Sequence, residues 1–477
     1  MYDFLLIYAA SDIVGHNVRE MAAYLNRNGI STKLLFLAKE YWETLEDGEV
    51  SSIVDFAREV RLIGVSFFSN HLSVSRCVTE HLREELETPV LWGGVHPTLR
   101  PRECAGIADA VCVGEGEYAL MDLFAENKGA DKFSIRHPIA GLCWKEDGKF
   151  IEHGFGAFLQ NLDDLPAQDF FSEMSFALTD GKVSPIPRES IKAYFNGRVA
   201  MLASRGCAFS CTFCINNFLN ENSNKPKIRR KSVDHVIGEI ASYIKEWPEI
   251  SLVRLNDDAF ISHPRSWMRK FCERYKREIG LPLDVSGVNP IHLREDKLAM
   301  LVDAGLKTLR MGIQTGSENA RLAYKRKETD EILREKFAIL SKHDIRVRLD
   351  FILDNPFESD EQRVESLRFI AAIPIRDVRL NFYSLTFYPG TELYDRAVAE
   401  GIITDEEMYL STTDTKQPAA TYLNALNYYL GIRRRPGIWL RLLLSGFIRK
   451  SPLTALVRKY FIWRYPFSEP RYFTFKG

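Results

Sequence analysis

The chain has 477 residues, enough for two or three domains with cores of their own. Its formal net charge of −1 and 27% charged residues give no global electrostatic basis for binding nucleic acid, and none is expected. Three of the eight cysteines are clustered and five are scattered (Cys77, Cys104, Cys112, Cys143 and Cys272). That pattern is no disulfide framework, and a reducing cytoplasm suits it.

Met1-Tyr2-Asp3 runs into the apolar stretch Phe4–Tyr8 without a basic flank, so no secretory signal is expected there. From residue 1 to 126, short apolar strands alternate with amphipathic helices. The predicted strands are Phe4–Tyr8, Thr32–Leu37, Leu62–Ser66, Val90–Trp92 and Ala110–Val113, with helical periodicity between them, as at His16–Asn28 and Leu72–Glu87. This reads as a doubly wound α/β sheet, whose ligands bind at the carboxyl ends of its strands. Three of those ends carry small or glycine-rich loops: Ser66-Phe67-Phe68-Ser69, Gly93-Gly94-Val95-His96-Pro97 and Gly114-Glu115-Gly116-Glu117. Singly, each is a tight strand–helix turn; three on one edge point to a large ligand.

Residues 127–196, with Pro and Gly in Asp180–Pro187, read as a linker between domains. Alternation resumes over 197–400. Six strands are expected, at Val199–Ala203, Leu252–Asn256, Leu283–Ser286, Thr308–Met311, Val347–Leu353 and Val378–Tyr383. They fit a partial barrel with its site at the carboxyl ends. The last segment, 401–477, is basic and mostly helical in pattern. Gly431 to Ser468 holds nine Arg or Lys and no Asp or Glu, and no apolar run of about 20 residues that could span a bilayer. It suits a helix at an anionic membrane surface, and equally a tail packed on the barrel or gripping an anionic substrate.

Cys207, Cys211 and Cys214 lie in Ser204–Cys214, directly after the first barrel strand. An iron–sulfur cluster takes a thiolate for each iron, and a closed zinc site wants a fourth Cys or His. The next His is His235 and the next Cys is Cys272. By itself the triplet leaves open an unusual zinc loop or a cluster with one free iron.

The C-x3-C-x2-C spacing, with Phe213 before the last cysteine, resembles the signature of the radical S-adenosylmethionine enzymes. The resemblance implies a [4Fe–4S] cluster on Cys207, Cys211 and Cys214, whose open iron binds S-adenosylmethionine and whose electron releases a 5′-deoxyadenosyl radical. Four further runs match in order. Asn256-Asp257-Asp258-Ala259-Phe260 is similar to the family's segment beside the methionine amino group, implying roles for Asp257 and Asp258. Met311–Glu318 resembles a G-I-Q-S-G-S-E stretch, in which Gln314, Ser317 and Glu318 address the ribose or methionine. Arg326 stands where the family has an arginine that pairs with the methionine carboxylate; otherwise it is a surface residue. Asp350–Pro356 would pack near adenine, and Tyr388–Tyr394 is structural.

The first domain resembles the Rossmann-like cobalamin-binding module of one class of these enzymes. The implied contacts are Ser66, Phe67, Gly93, Gly94, Val95, His96, Gly114, Glu115 and Gly116. The module's D-x-H-x-x-G motif is absent, the first loop reading Ser11-Asp12-Ile13-Val14-Gly15-His16. Cobalamin is therefore expected without a histidine on cobalt, neither His16 nor His96 serving.

The expected activity is C-methylation of an unactivated carbon in a lipid or natural-product intermediate, with two S-adenosylmethionine per turnover. An electron donor such as flavodoxin or ferredoxin would serve it. Alternatives are a cobalamin-dependent cyclase or rearrangement enzyme, and a non-catalytic cobalamin or metal sensor. Methylthiolation is disfavoured because Cys77, Cys104 and Cys112 do not match a second cluster motif. The expected location is cytoplasmic, with peripheral contact at the inner membrane face if the tail binds lipid.

Overall fold

A computed structural model describes residues 2–40, 43–223, 227–406, 409, 418–432, 442–444, 446–449, 451–452, 454–456 and 459–460. The chain forms two compact units. The first comprises Met1–Gly197 with Asn217–His235 and Phe387–Asp414; the second holds Arg198–Asn216, Val236–Thr386 and the rest.

In the first unit, β1 (Tyr2–Ala9), β2 (Thr32–Phe36), β3 (Val60–Phe67), β4 (Val90–Gly93) and β5 (Ala110–Cys112) pair in parallel in the order 5-4-3-1-2. Alternate residues of β1 enter different cores: Phe4 and Leu6 on one face, Leu5 and Ile7 on the other. Both faces are covered by helices, which is why the strands read as continuous apolar runs. The strand order reverses between β1 and β3, opening the crevice where such sheets bind ligands.

The stretch 127–196 is not a bare linker. It contributes β6 (Leu142–Glu146), β7 (Lys149–Glu152), β8 (Ser175–Thr179) and β9 (Lys182–Pro185), which extend the sheet to nine strands in the order 7-6-5-4-3-1-2-8-9. Each hairpin turns on Asp-Gly, Asp147-Gly148 and Asp180-Gly181, all four residues having positive φ. Asp-Gly is the sequence of a two-residue turn whose twist suits a hairpin. Both turns lie within the stretch expected as a linker.

Asn217–His235, expected with the barrel, and Phe387–Asp414, which straddles the expected barrel end at 400 and the following tail, belong to the first unit. Lys231 pairs with Glu20 at 3.0 Å, both side chains at most 2% exposed. Arg229, in the short strand β12 (Arg229–Arg230), grips Glu115 through both guanidinium ends. Arg100 and the Tyr394 hydroxyl both donate to Glu406. These long-range pairs leave no trace in local periodicity.

In the second unit, β10 (Arg198–Met201), β13 (Leu252–Leu255), β14 (Leu283–Val288), β15 (Leu306–Gln314), β16 (Arg346–Leu353) and β17 (Val378–Ser384) run parallel in that order, with the short β11 (Ser204–Arg205) after β10. Their outward residues, such as Val253, Leu309, Met311, Val347 and Leu349, are completely buried. Inward residues alternate with them, among them the polar Arg254, Arg310, Arg348 and Asp350. The helix Tyr422–Ile432 packs on β17 through Tyr428 against Phe382. Asp354 fastens the start of this segment, accepting from Ala419 N at 2.8 Å and Asn424 Nδ2 at 2.6 Å. Most of the basic stretch 433–468 lies outside the described residues. Among those described, no helix is long and apolar enough to cross a membrane.

Candidate cofactor sites

The cysteine loop leaves the barrel's first strand and is pinned at three places. Asp257, after β13, accepts from Ala203 N at 3.1 Å and from the Ser204 hydroxyl, fixing the approach to Cys207. A Cβ on Gly287 would lie 2.0 Å from the Asp257 carbonyl oxygen, so β14 and this turn can meet only at a glycine. Farther along, Thr212 N donates to Tyr324 O, and the Phe213 ring meets the Tyr324 ring edge-on at 5.2 Å. Tyr324 is fully buried, and its hydroxyl accepts from Asn355 Nδ2 at 2.9 Å. Between these anchors, Cys214 N closes a turn on Cys211 O.

Each sulfur faces an N–H donor. Arg326 Nη1 is 3.9 Å from Cys211 Sγ, and Asn216 Nδ2 is 3.9 Å from Cys214 Sγ. The Phe209 and Asn216 backbones donate to Cys207 and Cys214. Burial pushes the free thiols up, Cys207 to about 11 and Cys214 to about 12, despite these donors. A metal that replaces the protons removes that cost. Among the described residues, no three His, Cys, Asp or Glu side chains converge on a point that could hold a single ion. Three cysteine sulfurs with N–H donors are a donor set that fits thiolates on an iron–sulfur cluster.

Arg326 is no surface arginine. It is 7% exposed, donates to Gly312 O at 2.8 Å and Glu328 at 2.7 Å, and keeps Nε buried without a partner. Asn216 carries Asp258 on the same amide, at 3.2 Å. Gln314, at the end of β15, has φ +72, and Lys325 and Asp354 are also left-handed. Such backbone is costly away from glycine and collects at working sites.

Two residues of the G-I-Q-S-G-S-E likeness already have partners in the protein. Ser317 is wholly buried and donates to Glu365 at 2.8 Å, while Glu318 accepts from Asp330 N at 2.8 Å. Ser317 precedes the helix Glu318–Ala323, and Glu318 caps the start of the later helix Asp330–Leu340 while its side chain stays 44% exposed. Asp257 likewise spends its oxygens on the cysteine loop. Tyr324 and Asn216, whose contacts span distant segments, had no signal of their own in the sequence.

In the first unit, the ends of β3, β4 and β5 bring Ser66, Gly93, Gly94, Val95, Gly114, Glu115 and Gly116 to one edge. A Cβ on Gly94 would meet Phe67 N and O at 2.9 Å, so β4 must pass the end of β3 without a side chain. Gly93 differs: its nearest neighbour would be Cys112 Cβ at 3.9 Å, and the space before it is open. Glu115 is tied to Arg229 and to Leu159 N. The side chains of Phe67 and His96 lie beneath this edge. Phe67 is 1% exposed against Trp92, and His96 is equally buried, stacked on Phe67 with Nδ1 at 2.9 Å from the Ser69 hydroxyl. Burial, with Arg100 nearby, holds His96 down at about 4, hence neutral. The exposed ring at this edge is Phe68. In the first loop, His16 Nδ1 is engaged by Gln168 at 2.8 Å. That loop is shaped by the buried Arg19, which donates to Ile13 O and Val14 O.

The chain thus combines a doubly wound sheet that has a glycine edge with a six-stranded partial barrel that has a three-cysteine loop at its carboxyl face. A family model described as the B12 binding domain matches residues 2–124, and one described as the radical SAM superfamily matches 201–370. The chain belongs to the cobalamin-binding radical S-adenosylmethionine enzymes. Its cofactors are a [4Fe–4S] cluster, S-adenosylmethionine and cobalamin. Among curated relatives, it is 25% identical over 390 residues to an uncharacterised methyltransferase of Pyrococcus horikoshii, covering 78% of each chain. It is 24% identical over 475 residues to the cytidylyl-2-hydroxyethylphosphonate methyltransferase of Streptomyces wedmorensis, covering 88% and 82%. Among solved structures it shares the fold of the radical S-adenosylmethionine methyltransferase TsrM of Kitasatospora setae, at TM-score 0.65 and 15% identity, covering 84% and 77%.

Proposed function

We propose that this enzyme transfers a methyl group to an unactivated carbon of a small molecule. The cluster and S-adenosylmethionine supply a 5′-deoxyadenosyl radical, and cobalamin supplies the methyl group. Cys207, Cys211 and Cys214 hold the cluster. The observation that carries this assignment is that every one of those sulfurs has an N–H donor within a loop braced by Asp257 and Tyr324. Hydrogen bonds to cluster sulfurs set how readily the site accepts an electron.

Arg326, with its buried unpartnered Nε, receives the methionine carboxylate, while Asp258 and Gln314 bind at the same barrel face. Ser66, Gly93–Val95 and Gly114–Gly116 hold cobalamin, with open space before Gly93 and no histidine offered to cobalt. Methyl transfer is supported by the relatives, since the Pyrococcus and Streptomyces proteins, matched over most of their length, are both named methyltransferases. A flavodoxin or ferredoxin in a reducing cytoplasm provides the electron.

The test is anaerobic. The protein is purified with cobalamin, reduced, given S-adenosylmethionine and candidate substrates, and followed for 5′-deoxyadenosine and S-adenosylhomocysteine by mass spectrometry. Both products should form with methyl incorporation, and Cys211→Ala should abolish the 5′-deoxyadenosine. Deoxyadenosine with a rearranged, unmethylated product would overturn methyl transfer.

A further inference from the structure

The inner face of the barrel carries charge where a closed barrel would carry Val, Ile and Leu. Arg310 of β15, Arg348 of β16 and Arg379 of β17 are register partners, three arginines abreast on adjacent strands. Strands lie about 4.8 Å apart, and like charges on facing positions repel. The row faces inward, because its chain neighbours Leu309, Val347 and Leu349 are completely buried on the other side. Arg310 also reaches past β16 to the Tyr383 hydroxyl at 2.8 Å, which only the concave side allows.

Counter-charge is short. Arg254 takes Asp284 at 3.1 Å, and Arg310 takes Asp350, which Asn381 also occupies. That leaves Arg348. Among the described residues it makes no hydrogen bond or ion pair, and burial together with Arg254, Arg310 and Arg346 lowers its proton affinity, Asp284 opposing. A half-buried guanidinium among three others, with neither partner nor full hydration, is stable only by virtue of the rest of the fold unless an anion joins it.

We propose that this row is the substrate's anchor: Arg348, flanked by Arg310 and Arg379, binds an oxyanion, a carboxylate or phosphoryl group, on the molecule whose carbon is methylated. The proposal rests on the reading of this chain as a methyltransferase only in calling that molecule the substrate. Anion binding itself is independent of it. Tyr383 and Asn381 shape the row's upper side by holding Arg310 and Asp350.

Calorimetric titration and thermal unfolding of the reconstituted enzyme test it, with inorganic pyrophosphate and malonate as probes. At least one should bind and raise the unfolding midpoint; the better probe assigns the phosphoryl or carboxylate class. Arg348→Gln should weaken that binding about tenfold or more, the loss of charge-assisted hydrogen bonds, while the ligand-free midpoint holds or rises as repulsion is relieved. Arg379→Gln serves if that variant does not fold, with the same expected loss. Neither probe binding, or equal binding by wild type and variant, overturns the proposal. Arg348-dependent binding without any methylated product would sink the methyl-transfer reading and leave the anion site standing. A methylated neutral substrate turned over by Arg348→Gln at unchanged kcat/KM would do the reverse.

Discussion

Arg326 holds together the barrel edge on which the cysteine loop rests, and Arg326→Gln tests that arrangement. The substitution leaves Glu328, whose side chain is 1% exposed and whose Oε2 already lacks a partner, as an uncompensated buried carboxylate. Removing one member of a buried pair costs about 3–5 kcal/mol. For a unit of this size each kcal/mol moves the midpoint by about 2–4 °C, so the barrel transition should fall by about 6–20 °C. Adding Glu328→Gln removes the stranded charge, and the double variant should recover most of that loss. The contact to Cys211 Sγ is lost in both, however. The cluster potential, measured by titration with electron paramagnetic resonance, should therefore be more negative in single and double variants alike, because an N–H donor to sulfur favours the reduced state. A double variant as unstable as the single one, or potentials equal to wild type, would refute the reasoning.

Glu358 gives a pH signature. Burial raises its carboxyl from 4.5 to about 7, hydrogen bonds from Thr315 and Asn355 and the charge of Arg363 opposing. Between those values the unfolded chain releases a proton that the folded chain keeps, so this group's stabilisation is complete below pH 4.5 and is lost as pH rises towards 7, about 3 kcal/mol in all. Glu358→Gln should flatten the midpoint between pH 5 and pH 8; an unchanged slope would count against a buried neutral carboxyl. The neighbouring glycines of the first unit should part company. Gly94→Ala forces a side chain onto Phe67 at φ +94 and should cost about 1–3 kcal/mol by denaturant unfolding. Gly93→Ala should leave stability alone but lower the cobalamin retained, read from its visible absorbance, and unaltered retention would remove Gly93 from the cofactor edge.

What the sequence determined was local and periodic. Alternating apolar runs announced both parallel sheets, since strands buried on both faces must be apolar throughout. The spacing of Cys207, Cys211 and Cys214 fits a loop short enough for three sulfurs to share one cluster. The hairpins at Asp147-Gly148 and Asp180-Gly181 were not expected, because their Gly- and Pro-containing composition is also that of a linker. Tertiary structure decided the rest, because burial and long-range pairing are properties of neighbours in space. It buried the side chains of Phe67, His96 and Ser317, made Arg326 a buried donor, and assigned Lys231 to Glu20, 211 positions away. It also set Arg310, Arg348 and Arg379 abreast. No periodicity could reveal that row, since it exists only once three separate strands have found their register.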